Sequence, residues 1–97
     1  MEPKGLILFR AALADLGRRQ DYLSGIRGQE FAETWKNDLL EWVLDLAETG
    51  AVYGTRHPKR GHLRTVNFRK TATLLVDFTE TELRVVRIYF PGQGWSR

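Results

Sequence analysis

Apolar side chains recur every three or four residues through the middle of the chain, which is the period of an α-helix. The stripe consists of Phe31, Trp35, Leu39, Trp42 and Leu46, and it is widened by Leu40, Val43 and Ala47. Charged residues fill most of the opposite face, so the pattern predicts an amphipathic helix of roughly 20 residues. Gly50 follows the last turn and is expected to end the helix.

An earlier helix is predicted from about Ala11. Its stripe steps by three, four and three residues through Leu13, Leu16, Gln20 and Leu23. Gly25 and Gly28 indicate where this helix ends. Because a short glycine-containing loop separates the two helices, they should form an αα-hairpin.

Strands are predicted on both sides of the helices. A short apolar run at Leu6–Phe9 predicts the first strand. After the helices the apolar period falls to two in three segments, Leu63–Phe68, Thr71–Phe78 and Glu82–Phe90. Short connections between these segments predict antiparallel hairpins. The order is therefore β-α-α-β-β-β, an α+β fold with a helix hairpin packed on an antiparallel sheet.

Strict alternation divides the last predicted strand into two faces. One face holds Leu83, Val85, Arg87 and Tyr89, and the other holds Val86, Ile88 and Phe90. A charged residue, Arg87, thus lies on a largely apolar face. Either the far end of that face is exposed to solvent, or Arg87 extends beside a partner groove with its charge in water.

The composition favours one small soluble domain. A chain of 97 residues has the size of a single domain, so residues 1–97 are predicted to form one unit. There is no cysteine, which excludes disulfides and thiolate metal sites and fits a reducing compartment. No signal-peptide core is present, and no apolar run approaches the roughly 20 residues that span a bilayer. We expect a cytoplasmic protein without membrane segment, metal or cofactor.

The charge is distributed unevenly along the chain. Residues 54–97 carry nine Lys and Arg and three acidic residues, a net charge of +6, whereas residues 1–53 carry six and nine, a net charge of −3. Between Gly54 and Lys70 there are six basic residues and no acidic one. Such a field attracts a polyanion or an acidic protein, although a solvated basic face is the common alternative.

The segment RHPKRGHLR, residues 56–64, holds both histidines of the chain, His57 and His62. A general base needs a nearby group that orients it, and no carboxylate lies in this segment. Two interpretations stay open: exposed loop imidazoles, or an acid-free ribonuclease site in which His57, His62 and Arg64 act on a phosphate. A metal site is disfavoured because no nearby Cys, Asp or Glu completes a ligand set.

Several residues are candidates for binding a partner. They are Arg56, Lys59, Arg60, Arg64, Arg87 and Trp95. Arg64 lies where the loop becomes a strand, and a cation on a rigid element can bind phosphate or carboxylate bidentately. Trp95, near the end of the chain, is a candidate interface anchor. The alternatives are pairing of Arg64 with a helix carboxylate and packing of Trp95 against the helix hairpin.

Three segments have a familiar order and spacing. LFRAALADLGRRQDYL (residues 8–23) contains a short strand, an A-x-x-DL element at 12–16 and a helix. HLRTVNF (62–68) has a Leu-Arg strand start, and LLVDFTETELRVVRIYF (74–90) contains two paired apolar strands. Over about residues 6–90 the chain resembles ParE-type toxins of the RelE/ParE superfamily, whose β-α-α-β-β-β fold agrees with the predicted order.

The resemblance implies a bacterial type II toxin–antitoxin module of the plasmid-stabilisation kind, with toxin and antitoxin in a hetero-oligomer. RelE-like members cut mRNA on the ribosome, typically with an Arg and a Tyr near the last strand and the C-terminus. Here no Tyr follows Tyr89, and the only base after Arg87 is Arg97, which favours the ParE-like branch. Phe78 and Phe90 stand where ParE-like chains often carry Tyr and His.

Three functions are therefore open. The first, which we predict, is a toxin without catalytic residues that inhibits DNA gyrase by binding gyrase or its bound DNA. A ParD-like antitoxin would neutralise it by laying amphipathic helices in an apolar groove. The second is a ribosome-dependent mRNA endoribonuclease using His57, Lys59, Arg60, His62 and Arg64. The third is a non-toxic nucleic-acid-binding module, whose affinity would fall steeply with salt.

Overall fold

The computed structural model describes residues 2–91 of the chain. Two helices and five strands follow one another in this range: β1 (Gly5–Leu8), α1 (Arg10–Arg27), α2 (Gln29–Thr49), β2 (Thr55–Arg56), β3 (Arg64–Phe68), β4 (Ala72–Phe78) and β5 (Glu82–Tyr89). The predicted α+β fold, a helix hairpin packed on a sheet, is confirmed. Among residues 2–91 no helix is long and apolar enough to cross a membrane.

The sheet runs in the order β1-β5-β4-β3-β2. As predicted, β3, β4 and β5 form an antiparallel meander. β1 pairs in parallel with β5, so the sheet is mixed, and the long connection that a parallel pair requires contains α1, α2 and the strands β2, β3 and β4. The two-residue strand β2 was not predicted; it pairs antiparallel with β3 inside the basic segment.

The buried side of α2 lies along one flank of the predicted stripe. Its fully buried residues are Ala32, Leu39, Val43 and Ala47. Trp35 and Trp42 flank this line, where their rings reach Phe90 and Phe68 with centroid distances of 5.8 Å and 5.2 Å. Phe31, at the start of the predicted stripe, is 40% exposed. Small residues lie under the helix axis because they let α2 approach the sheet, and the large rings fill the space beside it.

β5 contains a bulge that reverses its two faces. It pairs with β4 in one register up to Val85 and in another from Arg87, which leaves Val86 as an extra residue. The core therefore contains β5 residues from both sides of the bulge and the residue after the strand: Leu83, Val85, Ile88 and Phe90. The alternation predicted from the sequence is wrong beyond Val86, because an inserted residue shifts every later side chain to the other face.

Candidate functional site

The basic segment forms a short hairpin at the edge of the sheet, which we call the cationic hairpin (residues 55–65). Its two strands pair Thr55 with Thr65 and Arg56 with Arg64. Farther out, the N–H of His57 donates to the carbonyl oxygen of Leu63 at 2.9 Å. The segment expected to be an irregular loop is therefore an ordered extension of the sheet.

Gly54 makes the entry into this hairpin possible. Its φ is +91°, a left-handed conformation that glycine adopts without a steric penalty. A Cβ atom here would lie 2.3 Å from the carbonyl oxygen of Thr65 and 2.8 Å from Cγ2 of Val66. The chain therefore passes so close to β3 that a side chain at this position has no room.

His57 is a buried organiser of the hairpin, with 5% of its surface exposed. Its Nδ1 accepts hydrogen bonds from the backbone N–H groups of Lys59 at 3.0 Å and Arg60 at 3.1 Å. The interpretation of both histidines as exposed imidazoles is thus wrong for His57, whereas His62 is exposed. Sequence reasoning missed this role because burial of the ring depends on tertiary packing, which the sequence pattern of the segment does not indicate.

The cations of the hairpin are available to a partner. Arg56, Lys59 and Arg60 are exposed, and Arg64 is half-buried with Nη1 donating to the carbonyl oxygen of Gly54 at 3.1 Å. Within residues 2–91 the ion pairs join Asp15 to Arg18 and Arg87, Asp38 to Arg69, and Arg84 to Asp77 and Glu82. None of them neutralises a cation of the hairpin, so its positive charge is directed to solvent.

Arg87 belongs to a different site. Its Nε donates to Oδ2 of Asp15 at 2.7 Å and its Nη2 to Oδ1 at 2.9 Å, a bidentate pair. The same carboxylate accepts the backbone N–H of Ile88 at 2.9 Å and a hydrogen bond from Arg18 at 2.6 Å. Arg87 is therefore engaged in holding α1 against β5.

Asp15 explains why α1 lies where it does. β1 stops pairing after Leu8, and the N–H of Phe9 makes the last contact, to Val85. Beyond that point the carboxylate of Asp15 accepts a hydrogen bond from the backbone N–H of Ile88 in β5. The sequence held an indication of this: an acidic residue in the A-x-x-DL element lies between buried Ala12 and Leu16.

The environment of Asp15 favours its charged form. Burial by itself raises the pKa of Asp15, but the hydrogen bonds from Arg87 and the Ile88 N–H, with the charges of Arg87 and Arg18, outweigh it and lower the pKa below its ordinary value. The carboxylate is 4% exposed and fully hydrogen-bonded, as a buried charge must be.

Of the five predicted partner-binding residues that the structure describes, Arg87 lies apart from the other four. Arg87 lies opposite Leu75 of β4, which lies opposite Thr65 of β3. With strands about 4.8 Å apart, Arg87 is two strands, or about 10 Å, from the hairpin. The hairpin does unite Arg56, Lys59, Arg60 and Arg64. Trp95 lies outside the described residues.

An open groove of about 480 Å³ lies between the C-terminal half of α2 and the cationic hairpin. Mostly apolar surface lines it, with Trp42 and Leu46 on the helix, Tyr53 on the connection and Val66 on β3. The geometry thus combines an apolar groove with a neighbouring cationic surface.

Within residues 2–91 no group of three or more His, Cys, Asp or Glu could hold a metal ion.

No family model matches the chain, and no curated protein matches it. A match among solved structures is a chain of the structure described as "Chromosomal ParDE TA system from P. aeruginosa", with a TM-score of 0.77 and 23% sequence identity. The match covers 90% of this chain and 95% of that chain. The protein therefore has the fold of a chain from a ParDE toxin–antitoxin system.

Proposed function

We propose that this protein is the toxin of a type II toxin–antitoxin module, inhibits DNA gyrase by binding, and is neutralised by a ParD-like antitoxin. The observation that carries the proposal is the fold shared over 90% of the chain with a chain of a ParDE system. The RelE-like pattern of a late Arg and Tyr is lacking after Tyr89, which supports gyrase over the ribosome as the target.

The position of His57 favours binding over RNA cleavage. A catalytic imidazole must exchange a proton with a bound substrate. The His57 ring is buried, and its Nδ1 is occupied by the N–H groups of Lys59 and Arg60. An imidazole committed to the backbone in this way supports a structural role, and with it a protein that acts through its surface.

The apolar groove beside the hairpin is the antitoxin site that we propose. An amphipathic helix binds by placing apolar side chains in such a groove, and Trp42, Leu46, Tyr53 and Val66 would receive them. The cations at the hairpin would attract acidic residues on the rim of the antitoxin, which increases the rate of association.

The groove can be tested with two exposed tyrosines. Tyr53, 47% exposed, lines the groove, whereas Tyr22, 54% exposed, lies on α1 away from it. In co-expression with a ParD-like antitoxin, Tyr53→Glu should reduce the purified complex about tenfold or more, because it places a charge against apolar surface. Tyr22→Glu should leave it unchanged, and equal losses in the two variants would remove the groove as the antitoxin site.

Gyrase inhibition is tested with purified toxin, DNA gyrase, ATP and relaxed plasmid, followed by electrophoresis after detergent and protease treatment. Blocked supercoiling with accumulation of linear plasmid is the expected result. Normal supercoiling by folded protein would exclude gyrase as the target, and cleavage of mRNA on ribosomes would then be measured with His62→Gln. His62 is the cleaner position for that test, because His57→Gln also alters the backbone of the hairpin.

A further inference from the structure

Residues 57–63 form a turn that is organised around one imidazole. Nδ1 of His57 accepts the N–H groups of Lys59 and Arg60, and the N–H of Leu63 donates to the carbonyl oxygen of Arg60 at 2.9 Å. A side-chain acceptor two and three residues before its donors is the arrangement by which Asp and Asn fold turns. His57 does the same with a ring nitrogen that is shielded from water.

These bonds determine where the cations of the hairpin lie. The backbone of Lys59 and Arg60 is bound to His57, so their exposed side chains start from a fixed turn. Arg56 and Arg64 are held opposite each other in the β2–β3 ladder. Like charges repel, and a flexible segment would separate them. The His57 turn instead keeps four cations on one short hairpin.

The exposed surface of this turn suits phosphate better than protein. Its exposed residues from 56 to 62 are Arg, Pro, Lys, Arg, Gly and His, without a large apolar side chain. Protein interfaces are depleted of charge at an apolar core, whereas interfaces with nucleic acid are polar and strongly positive. Large exposed apolar residues lie outside this turn: Val52 and Tyr53 precede the hairpin, and Leu13 and Phe31 lie on the helices.

We infer that His57 is a positioning residue: by binding the backbone of Lys59 and Arg60, it folds residues 57–63 into a fixed cationic platform for the phosphate backbone of nucleic acid. This inference goes beyond the proposed function, because it assigns a ligand to the hairpin whether or not gyrase is the target. A negative gyrase assay would therefore leave it standing, and a negative DNA-binding assay would leave the antitoxin groove standing.

Two neutral substitutions separate positioning from charge. The Oδ1 atom of Asn can take the place of Nδ1, whereas the amide oxygen of Gln lies one bond farther out. Binding of a short fluorescein-labelled DNA duplex is measured by fluorescence anisotropy at several salt concentrations. His57→Gln should weaken binding about tenfold by loss of preorganisation, and His57→Asn should remain within about twofold of wild type. Gln29→Asn, a neutral change at an exposed position on α2 outside the hairpin, is the control and should bind as wild type does.

The salt dependence distinguishes a loss of phosphate contacts from a general loss of stability. Each phosphate contact contributes about −0.9 to the slope of log affinity against log salt, so Lys59→Ala combined with Arg60→Ala should reduce the slope by about two. His57→Gln should also reduce the slope although it removes no permanent charge. A general loss of stability, monitored by thermal unfolding of each variant, would not change the slope of the folded protein.

Three results would overturn the inference. They are wild-type protein that does not bind the duplex at low salt, His57→Gln that binds as well as wild type, and poly-glutamate that binds as tightly as DNA. If His57→Gln fails to fold, amide hydrogen exchange of the wild-type protein tests whether the His57 turn is formed. The amides of Lys59 and Arg60 should exchange about tenfold or more slowly than in an unstructured peptide, and unprotected exchange would contradict the His57 turn.

Discussion

The cationic hairpin and the Asp15–Arg87 pair use arginine in opposite ways. In the pair, a buried carboxylate accepts two hydrogen bonds from Arg87 and one from the Ile88 N–H, and so holds α1 to β5. In the hairpin, no ion pair among the described residues meets Arg56, Lys59 or Arg60. Charge that is compensated inside the molecule stabilises the fold, whereas charge left facing solvent is available for a partner.

The two regions also differ in the polar group whose hydrogen bonds hold them together. α1 depends on a carboxylate that lies 72 residues from its arginine. The hairpin depends on an imidazole that binds its neighbours two and three residues away. We therefore expect that the exposed cations Lys59 and Arg60 can be substituted with little loss of stability, whereas substitution of Arg87, the basic partner of Asp15, should destabilise the fold.

The largest effect is expected from removing the charge of Asp15. Asp15→Asn keeps the size of the buried side chain but weakens the charge-assisted hydrogen bonds from Arg87 and the Ile88 N–H, and should lower the free energy of unfolding by about 2–3 kcal/mol in urea titrations. Asp38→Asn is the control, since its pair with Arg69 is exposed and should contribute within about 0.5 kcal/mol. Equal losses in the two variants would contradict the structural role of Asp15.

In the cationic hairpin, Gly54→Ala should lower the free energy of unfolding by about 2 kcal/mol. A Cβ here meets the carbonyl oxygen of Thr65 at 2.3 Å, and the left-handed backbone adds strain. Gly25→Ala is the matched control, because Gly25 is helical and nothing lies within 4 Å of its Cβ. That substitution should raise stability by about 0.5–1 kcal/mol. Urea titration measures both, and the same sign for the two variants would contradict the close approach at Gly54.

Acid should abolish the contribution of the Asp15 carboxylate to the free energy of unfolding. Its pKa is lowered in the folded protein, so the stabilisation is complete above the ordinary pKa of about 3.9 and is lost as the pH falls through the folded-state value. The difference in stability between wild type and Asp15→Asn should thus be constant from pH 7 to about pH 5 and shrink below about pH 4. Urea titrations across this range measure it, and a difference that stays constant down to pH 2 would refute the ion pair.

The smallest effect is expected from the cations of the hairpin. Lys59→Ala and Arg60→Ala should each change the free energy of unfolding by no more than about 0.5 kcal/mol, because both side chains are exposed. The same urea titration measures this change. A loss comparable to that of Asp15→Asn would mean that these cations belong to the fold and would erase the distinction between the two regions.

Local features of the fold were predictable from neighbouring residues. The predicted second helix of roughly 20 residues ending near Gly50 is α2, Gln29–Thr49, with Gly50 in the left-handed conformation. The meander β3–β5 was predicted because alternation and short connections lie within a few residues of each other. The grouping of Arg56, Lys59, Arg60 and Arg64 followed from their adjacency in the sequence.

Features that depend on distant residues were not predictable. The bulge at Val86 reversed the faces of β5, because one extra residue in a ladder leaves no trace in the hydrophobic pattern. Arg87 was grouped with the partner-binding cations since its partner, Asp15, lies on another element. An exposed imidazole was one of the two interpretations of His57, because the sequence does not indicate that the ring is buried.

By itself, the sequence determined the order of the main elements, the helix bounds to within a few residues, and a basic segment without acids. Only the tertiary structure decided that β1 joins β5 in parallel, that Asp15 binds Arg87, and that His57 organises the hairpin. The reason is physical. Periodicity and turn chemistry act between near neighbours along the chain, whereas the partner of a buried charge or ring is set by packing between elements that the chain brings together from far apart.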